Sequence, residues 1–171
     1  MSYLIMFCGI PGSGKSTEAI RLKRQMNERN ISVGYISRDE IRFNMISEKD
    51  GYFSKEKEVF KKFANEMNKS LNENEITIID ATHLDEKSRG KILREVKSRN
   101  MVELWVLYLT TPVEICLQRN ATRVDRACVP DDVIHNMFEK FTNPTIEEFT
   151  NFRFKSVEVW EKPWKEKNDE L

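Results

Sequence analysis

Short apolar segments recur along the chain, and each is separated from the next by enough residues to form a helix. The first segment runs straight into a glycine-rich stretch, and the third is β-branched throughout its apolar part. Apolar segments of about four to eight residues with this composition are typical of buried strands. We therefore predict five strands, at residues 4–9, 33–37, 76–80, 102–109 and 154–160.

Helical periodicity fills the intervals between these strands. The clearest case is residues 54–72, where Phe60, Phe63, Ala64 and Met67 recur at i, i+3, i+4 and i+7 and define one apolar helix face. Further helices are predicted at 15–29 and 85–99, from Pro112 into an arginine-rich stretch, and shortly after Pro130.

The alternation of strands and helices predicts an α/β fold with a mainly parallel sheet flanked by helices. We expect a single domain over residues 1–171, with a helical arginine lid at about 119–135 and a charged, frayed tail at 161–171. With 39% hydrophobic and 33% charged residues, the composition excludes an intrinsically disordered chain.

The charge balance limits the kinds of partner. Lysine plus arginine and aspartate plus glutamate each number 28, which argues against an extended nucleic-acid groove but not against a local basic patch. No apolar run approaches the roughly 18 residues of a membrane span, and the start of the chain lacks a basic signal-peptide region. Cys8, Cys116 and Cys128 form no CxxC pair. We expect a cytoplasmic protein, in the host cytoplasm if phage-encoded, with no membrane and no disulfide partner.

The segment GIPGSGKST, residues 9–17, satisfies the phosphate-binding loop (P-loop) pattern GxxxxGK(S/T) between a predicted strand and a predicted helix. Its glycines permit a backbone whose N–H groups surround a β-phosphate at a helix N-terminus. Lys15 is predicted to bridge the β- and γ-phosphates, and the Ser16 hydroxyl to bind Mg²⁺. The predicted nucleotide-binding residues of this loop are Gly12, Ser13, Gly14, Lys15, Ser16 and Thr17.

Because GTPases, motor ATPases and kinases share the P-loop, it predicts ATP or GTP with Mg²⁺ but does not name the reaction. The segment SRDEIR, residues 37–42, adds a second group, because the carboxyl ends of parallel strands share one edge of the sheet. If a helix begins there, Asp39 and Arg42 lie on one face, where the carboxylate can accept a hydroxyl proton and the arginine can hold an anion. The alternative is an N-terminal cap with a solvated ion pair.

The third predicted strand ends in IIDATHL, residues 78–84, at the same edge. Asp80 is in the position of a carboxylate that binds Mg²⁺ through water, and Thr82 and His83 are candidates for the acceptor pocket. The alternative for Asp80 is a helix or turn cap. For His83 we favour an ordinary polar surface residue and assign it no catalytic role.

The stretch RNATRVDR places Arg119, Arg123 and Arg126 at i, i+4 and i+7. In a continuing helix they share one stripe, which can close over a triphosphate and neutralise charge on the moving phosphoryl group. The alternative is a solvated charged helix face.

The four segments GIPGSGKST, SRDEIR, IIDATHLDEKSR and RNATRVDRACVP occur in an order that resembles polynucleotide 5′-hydroxyl kinases, the kinase domains of phage and bacterial end-healing repair enzymes. The resemblance runs from about residue 4 to about residue 140. It implies a P-loop kinase fold in which Lys15 and Ser16 hold the nucleotide and Mg²⁺. It also implies that Asp39 is the general base, that Arg42 contacts the phosphate beside the 5′-hydroxyl, and that Arg123 is the lid arginine.

The same resemblance places Asp80 and Thr82 on the acceptor side and makes Arg119 and Arg126 helpers on the donor phosphates. The chain departs from many repair enzymes in having no DxDGT phosphatase motif. The sub-class also contains kinases of small molecules and of aminoacylated tRNA, so the acceptor is less closely specified than the fold.

Three functions follow from these features. The leading hypothesis is transfer of the γ-phosphoryl group of ATP or GTP to the 5′-OH end of RNA or DNA, as in nucleic acid repair. The first alternative is a P-loop kinase of a small metabolite, nucleoside or aminoacyl-tRNA, which shares Lys15, Ser16 and Asp39 but does not need Arg42 to contact a flanking phosphate. The second alternative is a nucleotide-binding switch without phosphoryl transfer.

Overall fold

The computed structural model describes residues 1–47, 49–124 and 128–165. Its strands form one sheet in the order β2-β3-β1-β4-β5, and every neighbouring pair is parallel. The predicted α/β fold with a parallel sheet is confirmed. The strands are β1 Ser2–Cys8, β2 Val33–Ser37, β3 Ile76–Asp80, β4 Val102–Leu109 and β5 Val157–Lys162.

Helices cover both faces of the sheet. Because side chains alternate along each strand, a single strand contributes to the core on both sides. In β1, Leu4 and Met6 join a core cluster with residues of the third and fourth helices, whereas Ile5 and Phe7 join a second cluster with the first helix. The helices are α1 Lys15–Glu28, α2 Arg38–Met45, α3 Glu56–Glu73, α4 Glu86–Leu93, α5 Val113–Ala121 and α6 Asp131–Lys140, and a 3₁₀ helix spans Ile146–Phe149.

The predicted helix at 85–99 is too long, because α4 ends at Leu93. Side chains of α3 bind the backbone that follows. Asn68 donates to the Glu95 carbonyl oxygen (2.7 Å) and accepts from the Lys97 N–H (2.6 Å), and Asn72 accepts from the Arg99 N–H (3.1 Å). These contacts satisfy backbone groups that a longer helix would have paired internally.

Smaller differences occur at the other end of the chain. The last strand is displaced from the predicted 154–160 to 157–162, so the first residues of the predicted frayed tail belong to β5. Residues 166–171 of that tail lie outside the described residues. Within the described residues, no helix has both the length and the apolar character needed to cross a membrane.

The three cysteines are free thiols, and two of them are buried. Burial raises the pKa of the Cys8 thiol to about 12 and that of the Cys116 thiol to about 11. Both groups are therefore protonated at neutral pH and behave as small apolar side chains.

A fully buried arginine ties the loop after β3 to the segment after α6. The Arg89 guanidinium, 1% exposed, donates to both carboxylate oxygens of Glu148 (3.0 and 3.1 Å). It also donates to the carbonyl oxygens of His83 and Thr142 (3.0 Å each) and to the Thr142 hydroxyl (3.1 Å). These five contacts equal the number of N–H donors that a guanidinium carries, so no donor of this buried charge is left unpaired.

Candidate active site

The P-loop connects the end of β1 to the start of α1. Gly12 and Gly14 have φ angles of 82° and 95°, a left-handed conformation that residues with a Cβ rarely adopt. A Cβ at Gly12 would also collide with the backbone carbonyl of Cys116 in α5. Glycine is therefore required at Gly12 both by the conformation of the loop and by its packing on α5.

Contacts from three neighbouring elements fix the shape of the loop. The Gly9 N–H donates to the Thr82 carbonyl oxygen beyond β3 (3.0 Å), and the Thr111 hydroxyl beyond β4 donates to the Ser13 carbonyl oxygen (2.8 Å). From α5, Arg119 Nη1 lies 3.3 Å from the carbonyl oxygens of Gly12 and Ser13. The loop is thus preorganised by the ends of two strands and by the arginine stretch.

The residues predicted to bind phosphate lie at the start of α1. Lys15 is buried at 7% exposure, and Ser16 and Thr17 in the same first turn are exposed. A helix N-terminus and a lysine at the same point favour an anion. Beside the loop is a cavity of about 750 Å³, a size typical of a nucleotide-sized ligand. Its lining includes Gly12, Ser13, Gly14, Thr17, Arg119, Arg123 and residues 162–165.

The pair predicted from SRDEIR forms as expected at the start of α2. The Ser37 hydroxyl caps the helix by accepting from the Glu40 N–H (3.3 Å), which places Asp39 in the first turn. Arg42 Nη1 donates to Asp39 Oδ1 at 2.5 Å. The Asp39 side chain is 56% exposed, whereas that of Arg42 is 6% exposed. The carboxylate is therefore accessible to a hydroxyl group from solvent, while the buried arginine holds it from the protein side.

Most of the Arg42 guanidinium is engaged within the protein. It donates to the Tyr52 hydroxyl (2.9 Å) and to the Glu56 carboxylate (3.0 and 3.3 Å), and its Cζ lies 4.4 Å from the centroid of the Tyr52 ring. Its Nε is buried without a hydrogen-bond partner among the described residues. Arg42 thus positions Asp39, and a direct contact with an acceptor phosphate stays a prediction.

Asp80 lies at the same edge of the sheet as the P-loop and α2. It is level with Phe7 of β1 and with Ser37 of β2 in the strand register. Asp80 is 3% exposed, and its carboxylate accepts from the Tyr35 hydroxyl (2.7 Å). Burial and the nearby Asp80 charge raise the pKa of Tyr35, so this phenol stays a donor. Thr82 is half-buried and supports the P-loop through its carbonyl oxygen.

His83 is not the surface residue that we predicted. It is 3% exposed, and its Nδ1 lies 2.7 Å from the Phe7 carbonyl oxygen, so Nδ1 carries the proton. Its φ of 44° folds the chain tightly after β3. Burial, partly offset by the Phe7 hydrogen bond, lowers the pKa of His83 to about 4. The side chain is neutral and structural at physiological pH.

The low pKa of His83 predicts a loss of stability in mild acid. As pH falls below 6.5, His83 is protonated in the unfolded chain but stays neutral in the folded chain until about pH 4. Because the unfolded chain binds the extra proton, the free energy of unfolding falls as pH decreases through this range. At pH 5 the expected loss relative to pH 7 is about 2 kcal/mol. Urea unfolding of His83→Asn should show a smaller difference between pH 7 and pH 5. The exposed His135, replaced by asparagine, should keep the wild-type difference; equal differences in all three proteins would contradict the prediction.

The arginine stretch does not form the continuous helical stripe that the spacing suggested. Helix α5 ends at Ala121, and Asn120 binds both backbone groups of Val129 (2.6 and 3.0 Å). This bridge holds Val129 beside the last turn of α5. Arg119 contacts the P-loop, Arg123 lines the cavity beside the P-loop, and Arg126 lies outside the described residues.

The oxygen ligands at this edge suit Mg²⁺. Within the described residues, no group of three or more His, Cys, Asp or Glu side chains is arranged to hold a metal. Mg²⁺ does not require such a group, because it keeps several waters and binds through one or two protein oxygens together with substrate phosphates. Ser16 and Asp80 are the residues that would hold it. When bound, the ion supplies neutralisation of charge on the phosphates.

Comparison with known proteins identifies the family. The sequence profile described as chromatin associated protein KTI12 matches residues 1–150. The chain belongs to the KTI12 family. The prediction of a P-loop kinase-like domain is confirmed, whereas membership of the polynucleotide kinase family is not.

Two relatives of this KTI12-family chain are kinases. It is 30% identical over 143 residues to the L-seryl-tRNA(Sec) kinase of Methanococcus maripaludis, a match covering 82% of this chain and 53% of that protein. It is 24% identical over 155 residues to the adenylyl-sulfate kinase of Thermodesulfovibrio yellowstonii, covering 88% and 76%. The chain thus spans about half the length of the seryl-tRNA kinase that it matches.

Solved structures confirm the fold of the KTI12-family chain. Kti12 of Chaetomium thermophilum, in complex with ADP-AlF3, superposes with a TM-score of 0.64 at 19% identity over 92% of this chain and 88% of that one. A Pnkp1/Rnl/Hen1 complex matches with a TM-score of 0.57 at 23% identity over 73% of this chain and 41% of that one.

Proposed function

We propose that this chain transfers the γ-phosphoryl group of ATP to a hydroxyl group carried by an RNA, with an aminoacyl group on tRNA as the leading acceptor. The carrying observation is the open Asp39 carboxylate, held by Arg42 at the sheet edge that also presents the P-loop. The 30% identity with a seryl-tRNA kinase favours the RNA-linked hydroxyl over a free metabolite.

In this proposal each residue has one task. Lys15 and the first turn of α1 hold the β- and γ-phosphates, and Ser16 and Asp80 hold Mg²⁺. Asp39 orients the acceptor hydroxyl toward the γ-phosphoryl group and takes its proton, while Arg42 and Tyr52 fix the carboxylate. Arg119 and Arg123 line the cavity for the donor nucleotide, where their positive charges attract the negatively charged phosphates.

A second candidate is the 5′-hydroxyl kinase of our leading sequence hypothesis. It is favoured by the Asp39–Arg42 contact, the pairing that the resemblance to 5′-hydroxyl kinases implies. Both candidates place a hydroxyl linked to a nucleic acid at Asp39: an aminoacyl hydroxyl on tRNA in the first, and the 5′-hydroxyl of RNA or DNA in the second.

An acceptor panel tests the proposal. The protein, Mg²⁺ and γ-labelled ATP are incubated with seryl-tRNA, a 5′-OH oligonucleotide, adenylyl sulfate or gluconate. Label is expected on seryl-tRNA, at a rate at least about tenfold above that for either small molecule. Labelling of the 5′-OH oligonucleotide alone would support the second candidate, and labelling of a small molecule alone would contradict both. Hydrolysis or binding of ATP without any transfer would indicate a nucleotide switch.

A further inference from the structure

A large exposed aromatic side chain lies in the segment between α2 and α3. Phe53 is 58% exposed. Its ring packs edge to face on Tyr52, with 4.7 Å between centroids, and the Arg42 Cζ lies 5.8 Å from it. The contacts hold the ring in a defined orientation while more than half of its surface faces solvent.

The backbone around Phe53 is fixed as well. The Ser54 N–H donates to the Gly51 carbonyl oxygen (2.9 Å), and the Glu56 N–H donates to that of Phe53 (3.3 Å), so this turn leads directly into α3. Lys55 Nζ donates to the Met45 carbonyl oxygen at the end of α2 (2.9 Å). The segment is therefore tied to both helices that flank it.

Tyr52 connects this aromatic side chain to the candidate base. Its hydroxyl donates to Asp39 Oδ1 (2.9 Å), the oxygen that also accepts from Arg42. Burial and the Asp39 charge raise the pKa of Tyr52, which keeps the phenol protonated. Phe53 is thus separated by a single aromatic ring from the carboxylate at which an acceptor hydroxyl would bind.

We propose that Phe53, supported by Tyr52, stacks against a nucleobase adjacent to the hydroxyl that receives the phosphoryl group. This inference rests on the proposed function and specifies its acceptor as a nucleotide unit. Stacking on an aromatic ring tolerates any base, because each base has a π-face, whereas a sugar acid presents no flat face. The Arg42 guanidinium lies beside both rings, 4.4 Å from the Tyr52 centroid and 5.8 Å from the Phe53 centroid, and helps to hold the pair in place.

Binding of a dinucleotide tests this role separately from catalysis. The donor site is saturated with Mg²⁺ and a non-hydrolysable ATP analogue, and the affinity for ApA and for its counterpart lacking both bases is measured by calorimetry. Phe53→Ala is expected to weaken ApA binding about 5- to 100-fold. It should leave the abasic compound unaffected, and Phe53→Trp should retain wild-type affinity. Phe138→Ala is the matched control, because Phe138 is also an exposed phenylalanine but lies on α6; this variant should bind ApA normally.

Several results would overturn the inference. They are a wild-type protein that does not bind ApA, a Phe53→Ala protein that binds it as tightly as wild type, and an equal loss for ApA and the abasic compound. Failure of the proposed function is distinguishable, because it appears as absence of label transfer to every acceptor even where ApA binding depends on Phe53.

Discussion

Asp39→Asn is expected to lower the rate of phosphoryl transfer about 10²- to 10⁴-fold, the usual contribution of a general base. Asparagine keeps an oxygen that can accept from Arg42 (2.5 Å) and Tyr52 (2.9 Å), so the local structure should persist. It has no carboxylate to take the proton of the acceptor hydroxyl. The effect should therefore appear in kcat, measured with the acceptor that the wild-type protein labels best.

The affinity for nucleotide separates this role from a structural one. Asp39 belongs to α2 and the P-loop to the β1–α1 connection, so the Kd of a non-hydrolysable ATP analogue should change less than about twofold. Glu40→Gln is the matched control, because Glu40 is an exposed carboxylate in the same helical turn. Near-wild-type transfer by Asp39→Asn, or an equal loss in Glu40→Gln, would remove Asp39 from the role of base.

The parts of the site that could be predicted are those set by local geometry and by the rules of parallel sheets. The P-loop pattern requires left-handed backbone at Gly12 and Gly14, and both adopt it. Asp39 and Asp80 could be assigned to one edge because strands that run in parallel end on the same side. The Asp39–Arg42 contact follows from an i, i+3 spacing within one helix.

The parts that were missed depend on contacts between residues far apart in sequence. His83 is buried because it binds Phe7, 76 positions earlier in the chain. Helix α5 ends at Ala121, where Asn120 binds Val129, nine positions later in the chain. Arg42 is buried because Tyr52 and Glu56 cover it, 10 and 14 positions away. Hydrophobic periodicity carries no information about such polar pairings.

Arg89 is the largest of these omissions, and its removal should have the largest effect on stability. Arg89→Met is expected to lower the free energy of unfolding by about 3–5 kcal/mol, because the Glu148 carboxylate, 7% exposed, would be left buried without its counter-charge. The carbonyl oxygens of His83 and Thr142 would also lose their donor. Urea unfolding monitored by circular dichroism measures the change. Arg94→Met, at an exposed arginine just after α4, should change stability by less than about 0.5 kcal/mol.

A double variant shows whether the loss of stability in Arg89→Met comes from the unpaired Glu148 charge or from the lost packing of the arginine side chain. In Arg89→Met/Glu148→Met both charges are gone, so the double variant should be more stable than Arg89→Met alone, although the single Glu148 change removes further contacts. If the double variant is instead less stable than Arg89→Met by the full cost of Glu148→Met, the two side chains act independently.

Arg89→Met should in addition weaken nucleotide binding at temperatures where the protein is still folded. The reason is that the loop that Arg89 holds through His83 also binds the P-loop, through the Thr82 carbonyl oxygen and the Gly9 N–H.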